Sequence, residues 1–361
     1  MKICLHLRRK ILYGFACLFL IVVSCKKEEL PGEYSHGVFI VNEGGYGSNN
    51  GSISFYDYMS DSVYNDIYFD VNNRPLGDVV QSLTLHNGNA YIVVNNSNKV
   101  ELTDRNTFKE NGVISGLLSP RYLVASGNVA YVSCWGDNSV KVINLETNAV
   151  KKTIHVGSGP GKMCIVNDKL YVANAGIFLP DSVITIIDLT SNEVVKDIVV
   201  QYSPQDFVAG SDNTLWVLCY GKVIYDSEEP YPILEETPSK VYKIDTRSDE
   251  VVLEINLFDN QHPQHLEISS DGQLFFGGGY SFQGIYSLVI EQESATTTQV
   301  ISDYAYGFNI DPDTDILYIT LAPSYTSAGT LKRYNTEGLL LGTYECGIGP
   351  NSTVFKRAFQ D

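Results

Sequence analysis

The chain has 361 residues, 44% of them apolar, and carries 42 Asp+Glu against 25 Lys+Arg, a formal net charge of −17. That acidity argues against nucleic acid as a partner, because phosphate binding relies on Lys and Arg displacing condensed counterions. Length alone would allow two or three domains, but a repeated strand pattern spreads one architecture over most of it.

The N-terminus opens with Lys2, Arg8, Arg9 and Lys10, then an apolar run from Ile11 to Val23, then Ser24-Cys25. Such a run is too short to span a bilayer comfortably and reads as a secretory signal. Its end, Val22-Val23-Ser24-Cys25, resembles a bacterial lipobox, which implies removal of residues 1–24 and lipidation of Cys25. Cleavage would remove four of the 25 cations and none of the 42 acids, leaving 21 against 42 and a net charge of −21. Residues 25–35 then form a tether. Its Cys25-Lys26-Lys27-Glu28-Glu29 start resembles the export signal of surface lipoproteins in the Bacteroidetes.

Residues 36–361 read as an all-β, seven-bladed β-propeller. The first unit begins at once with VFIVNEGGYG from Val38, which elsewhere is a second strand. Later units begin with a lead-in motif, Pro-x-x-apolar: Pro120 with Leu123, Pro160 with Met163, Pro204 with Phe207, and Pro263 with Leu266. Proline cannot donate a ladder hydrogen bond, so it suits the first residues of a strand. Two further units keep the pattern without proline, near Val80 to Leu83 and near Tyr306 to Phe308. The lead-in prolines are spaced by 40, 44 and 59 residues, which places the largest insertion in the fifth unit. Short polar turns such as Asn87-Gly88-Asn89 and Asp271-Gly272 join first to second strands, where a tight hairpin needs positive φ.

At the far end, Gly347 to Phe355 supplies one lead-in and one strand. The spacing predicts that this strand pairs inside the first blade, formed by Val38 to Tyr68, and closes the ring by hydrogen bonds. Outside the N-terminus no segment has the 3.6-residue periodicity of a helix. Cys134, Cys164, Cys219 and Cys346 read as small core thiols.

The loops ahead of the first strands and those joining second to third strands share one face, and that face holds the unusual residues. Candidate ligand contacts are Tyr46, Asn49, Arg121, Trp135, Lys162, Phe178, Gln205, Tyr220, Tyr231, His265, Tyr280, Phe282, Tyr306 and Tyr325. Rigid aromatics offer contact area for little rotamer entropy, and amides add adaptable hydrogen bonds. The opposite face carries short polar hairpins such as Arg247-Ser248-Asp249.

Three apparent motifs are discounted. Asp311, Asp313 and Asp315 alternate as in a calcium loop but lack its Gly and distant Glu, so they read as a turn. His262 and His265 would need further ligands to hold a metal, and no metal is expected. No residue sits in a nucleophile or acid–base motif, and the chain reads as a non-enzyme requiring no cofactor; His265 with Asp206 is the one pair a lyase could use.

The mature chain resembles the YncE-like, surface-layer-type seven-bladed propellers in its repeated lead-in, its Tyr171-Val172-Ala173-Asn174 strand, and its Val183 to Leu189 strand ending Ile-Asp-Leu. Together with the lipobox, Lys-Lys-Glu-Glu and the opening Val38 to Asp57, it is similar to surface lipoproteins of gut Bacteroidetes, among them the cobalamin-capturing propellers of the BtuG type. That resemblance implies a lipid-anchored protein facing outward from the outer membrane, which binds vitamin B12 on its loop-rich face and hands it to a TonB-dependent transporter. A glycan-binding surface propeller would use the same aromatic face.

Overall fold

The computed structural model of the protein describes residues 32–291 and 294–356. These belong to one compact unit, Pro31–Asp361; the signal, Cys25 and the Lys-Lys-Glu-Glu stretch lie outside the described residues.

Seven four-stranded antiparallel sheets form the ring expected of a propeller, and strands pair with their sequence neighbours except where the last strand joins the first blade and where the insertion interrupts the fifth. Middle strands are buried on both sides and are therefore apolar almost throughout: Val38 to Val41 and Leu215 to Leu218 illustrate this. Outermost strands alternate, as in Glu193–Val199, where Ile198 is buried and its neighbours are exposed. Adjacent blades bury their faces against each other. Tyr171, Ile184 and Ile186 of the fourth blade share one cluster with Phe207, Val217 and Tyr242 of the fifth.

Closure follows the expected route. Pro350–Lys356 runs antiparallel to Gly37–Asn42, with Val354 opposite Phe39, so the last strand is the inner strand of the first blade. The fifth blade (Pro204–Ala209, Thr214–Cys219, Ser239–Asp245, Glu250–Phe258) holds the largest insertion, which forms its own hairpin of Val223–Tyr225 with Ile233–Glu236. The four cysteines among the described residues are free; Cys134, Cys219 and Cys346 are buried and Cys164 partly so.

Two local features differ from the sequence reading. The outer strand of the first blade stops at Ser62–Tyr64, and the chain then forms a six-residue helix, Ile67–Asn72, so Tyr68 lies on a helix rather than a strand. Burial of Ile67 and Tyr68 in the cluster around Phe39, Phe55 and Phe108 holds this helix, which is too short to show a period. Tyr34, placed by sequence in the tether, packs edge-on against Phe55 and Phe108, and its N–H donates to the Asn106 carbonyl at 2.9 Å.

Candidate functional site

The lead-in motif builds the site. Just before it the backbone turns through the left-handed region, at Val79 (φ 58°), Ser119 (48°), Gly159 (61°), Ser203 (54°) and Gly349 (63°). Glycine takes this conformation freely; for the β-branched Val79 it is strained. The inner strand then bulges. Pairing skips Gln81, Arg121 with Tyr122, Gly161 with Lys162, Gln205, and Asn351. Bulges re-aim side chains. Here they direct the residues after the lead-in position toward the ring's axis, while the following apolar residue packs between blades.

The result is a funnel of two adjoining cavities: an outer mouth of about 570 Å³ and an inner neck of about 140 Å³. Glu43, Gln81, Arg121, Tyr280 and Tyr306 line both. Tyr46, Trp135 and Tyr325 complete the mouth, and Lys162, Gln205, Gln264, His265 and Asn351 are among those completing the neck.

Two aromatic groups dominate the mouth. On one side Tyr280, Tyr306 and Tyr325 form a cluster, with ring centroids 5.3 Å apart for Tyr280 and Tyr306 and 6.2 Å for Tyr306 and Tyr325. Their hydroxyls converge: Tyr306 donates to Glu43 Oε2 at 2.8 Å, and the Tyr280 and Tyr325 hydroxyls hydrogen-bond each other beside it. Asn351 Nδ2 donates to Glu43 Oε1 at 3.0 Å, so both carboxylate oxygens are used. Burial first, and the Glu43 charge second, push the Tyr306 phenol well above its ordinary pKa. On the other side the Arg121 guanidinium lies 3.8 Å from the Trp135 ring centroid, a cation–π contact.

The neck is charged. Lys162 Nζ pairs with Asp206 Oδ2 at 2.5 Å, and Asp206 is 1% exposed. Burial opposes ionisation of both, yet the mutual attraction outweighs it, holding the Lys162 pKa up and the Asp206 pKa down. Glu267 accepts from Asn309 Nδ2 at 2.7 Å, and burial pushes its carboxyl up to about 7. His265 Nε2 donates to the Tyr306 carbonyl at 3.1 Å, whereas Nδ1 stands 3.8 Å from Asp206 Oδ2, beyond hydrogen-bond range. That oxygen already receives Lys162 and the Leu266 N–H.

Nine of the fourteen candidate contacts therefore border the funnel: Tyr46, Trp135 and Tyr325 at the mouth, Lys162, Gln205 and His265 at the neck, and Arg121, Tyr280 and Tyr306 at both. Five stand elsewhere. Asn49 is exposed in a turn, Phe178 is 96% exposed at a loop tip, and Tyr231 is exposed on the inserted hairpin. Tyr220 stacks on His262 at 4.6 Å. Phe282 is a correction: it is 1% exposed, because the Gly277-Gly278-Gly279 turn and Gly284 fold its loop back and seat the ring among Phe258, Phe276 and Tyr286.

Glu43, Gln81 and Asn351 were missed by sequence, although Gln81 and Asn351 occupy the same lead-in position as Arg121 and Gln205. His262 turns away from His265, toward the Tyr220 carbonyl (2.6 Å) and Glu236 (2.9 Å). Among the described residues no group of three or more His, Cys, Asp or Glu could hold a metal ion. Asp311, Asp313 and Asp315 lie in the turn after Gly307–Ile310, as expected.

Residues 36–349 match the family described as "Domain of unknown function (DUF5074)". The chain belongs to that family. No curated protein matches it. Among solved structures it is similar to a quinonprotein alcohol dehydrogenase-like protein from Bacteroides thetaiotaomicron, at 15% identity and a TM-score of 0.67 over 89% of this chain and 78% of that one. It is also similar to a functionally unknown protein from Desulfotomaculum acetoxidans (13%, TM-score 0.65, 90% and 99% covered) and to hydrazine synthase of Kuenenia stuttgartiensis (19%, TM-score 0.59, 77% and 92% covered). At these identities the likeness is one of fold.

Proposed function

We propose that this DUF5074 propeller is a surface lipoprotein that captures cobalamin in its funnel, as a binding protein without a cofactor or catalytic step, and passes it to a TonB-dependent outer-membrane transporter. The observation that carries the reading is the mouth itself. Tyr46 (81% exposed) and Tyr280 (61%) stand with Tyr306, Tyr325 and Trp135 around one depression, with glutamine and asparagine side chains beneath. Cobalamin is a broad ring system rimmed by amides. It is larger than the neck and would lie across the mouth, its faces against the aromatics and its amide arms reaching Gln81, Gln205, Gln264 and Asn351.

The test is calorimetric or spectroscopic titration of the mature protein with cyanocobalamin. Removing a central aromatic anchor commonly costs about 2 kcal/mol or more, roughly thirtyfold in affinity, so Trp135→Ala should weaken binding by that order. Arg247→Ala is the control, since Arg247 is exposed and among the described residues its side chain pairs only with Asp245 of its own hairpin on the opposite face. Absence of binding at micromolar cyanocobalamin refutes the reading and makes a glycan screen on the same face the next measurement.

A further inference from the structure

We propose that Arg121, whose guanidinium carbon lies over the Trp135 ring, is the funnel's anion receptor, and that the group it takes from the ligand is a phosphodiester. For a corrinoid this is the phosphate of the nucleotide loop, a step that rests on the cobalamin reading above.

Charge pairing singles Arg121 out. Lys109 and Lys151 also lack an ion pair among the described residues, but both are exposed, whereas Arg121 borders the funnel. Lys162, the other cation in the funnel, is neutralised by Asp206. Arg121 makes no ion pair or side-chain hydrogen bond among the described residues; its contact is the indole face. Glu43, the acid bordering both cavities, has each oxygen engaged, one by Tyr306 and one by Asn351. The corner is also short of acceptors: Arg121 Nε and Trp135 Nε1 are both buried and unpartnered. Buried donors are normally satisfied.

Geometry supplies the rest. A guanidinium whose contact is a ring rather than a carboxylate keeps its N–H fork for a second partner, and that fork matches two oxygens of a phosphate or carboxylate. Arg121 borders both mouth and neck, so the fork stands where a ligand lying across the mouth would drop a pendant group inward.

Two titrations decide it. Cyanocobalamin carries the phosphodiester; dicyanocobinamide has the same corrin without the nucleotide loop. Arg121→Gln keeps the stem and removes the charge. It is expected to weaken cyanocobalamin about tenfold, the scale of a hydrogen bond to a charged group, and to leave cobinamide within about twofold. Equal loss for both corrinoids, or no loss, overturns the proposal while cobalamin capture stands. If neither corrinoid binds the unaltered protein, the cobalamin reading falls and the second titration decides Arg121 alone. That titration adds millimolar diethyl phosphate to protein 15N-labelled at its indoles, which are only Trp135 and Trp216. The Trp135 resonance should shift saturably, Trp216 should not, and the shift should vanish in Arg121→Gln and with neutral triethyl phosphate. No shift overturns the proposal, as does an equal shift with acetate, which would replace the phosphodiester by a carboxylate.

Discussion

The Tyr306 phenol, just ahead of the seventh blade, donates to Oε2 of Glu43 in the first blade at 2.8 Å. The bond spans the join at which the ring closes and fixes one wall of the mouth. Tyr306→Phe leaves that oxygen without its donor, at a cost of about 1–3 kcal/mol. We expect a lower thermal midpoint and weaker cyanocobalamin binding together. Unchanged stability would show that water replaces the phenol without loss.

Phe282 and Phe178 occupy equivalent loops with opposite environments, 1% and 96% exposed. Phe282→Ala should destabilise by about 3–5 kcal/mol, the range for deleting a buried aromatic, without a specific effect on ligand. Phe178→Ala should stay within about 0.5 kcal/mol. Urea denaturation measures both, and similar values for the two would contradict the placement of Phe282 in the core.

Glu267 predicts a pH dependence of definite sign. Its folded-state carboxyl is raised from 4.5 to about 7, so the folded protein binds the proton more tightly than the unfolded chain does. Its destabilising contribution is therefore absent below about 4.5, grows by at most about 1.4 kcal/mol per pH unit between those values, and is complete above about 7. Glu267→Gln keeps an acceptor for Asn309 and removes the charge. Its stability relative to the unaltered protein should be equal at pH 4 and greater at pH 8. Asp206 acts oppositely: its depressed carboxyl adds stability at neutral pH that is lost as pH falls below the ordinary carboxylate range. Denaturation curves from pH 4 to pH 8 check the first, and their extension to lower pH checks the second; a Glu267→Gln difference that does not vary with pH would refute the first.

Lipid anchoring is tested at Cys25. Cys25→Ala should abolish palmitate labelling and release the protein to the soluble fraction, because stable attachment depends on acyl chains. Replacing Lys27, Glu28 and Glu29 by Ala should keep the label but remove antibody staining of intact cells. Label persisting without Cys25 would refute the anchor, and undiminished staining would refute the export signal.

The fold was legible because its signals are periodic: strand alternation, the prolines at 120, 160, 204 and 263, and the single leftover strand ending near Phe355. The helix at Ile67–Asn72 was not, since two core side chains rather than a pattern hold it. At the site, sequence located the right loops but could not tell which aromatics point inward. Phe282 and Tyr280 sit two residues apart on one loop, and only the fold-back at its glycines sends one into the core and the other to the mouth. Gln81 and Asn351 were readable in principle, because the position after the lead-in residue is the one each bulge turns toward the axis.

The pairing of Gly37–Asn42 with Pro350–Lys356 also sets a timetable. During synthesis or export the first blade emerges without its inner strand, and more than 300 residues must follow before Pro350 arrives to fill the place. Until then Phe39 lacks its neighbour Val354, and Glu43 lacks Asn351. The clasp and the last of the neck are thus assembled by the same late event, so a chain interrupted before Pro350 lacks Asn351, the partner of Glu43, along with its closure.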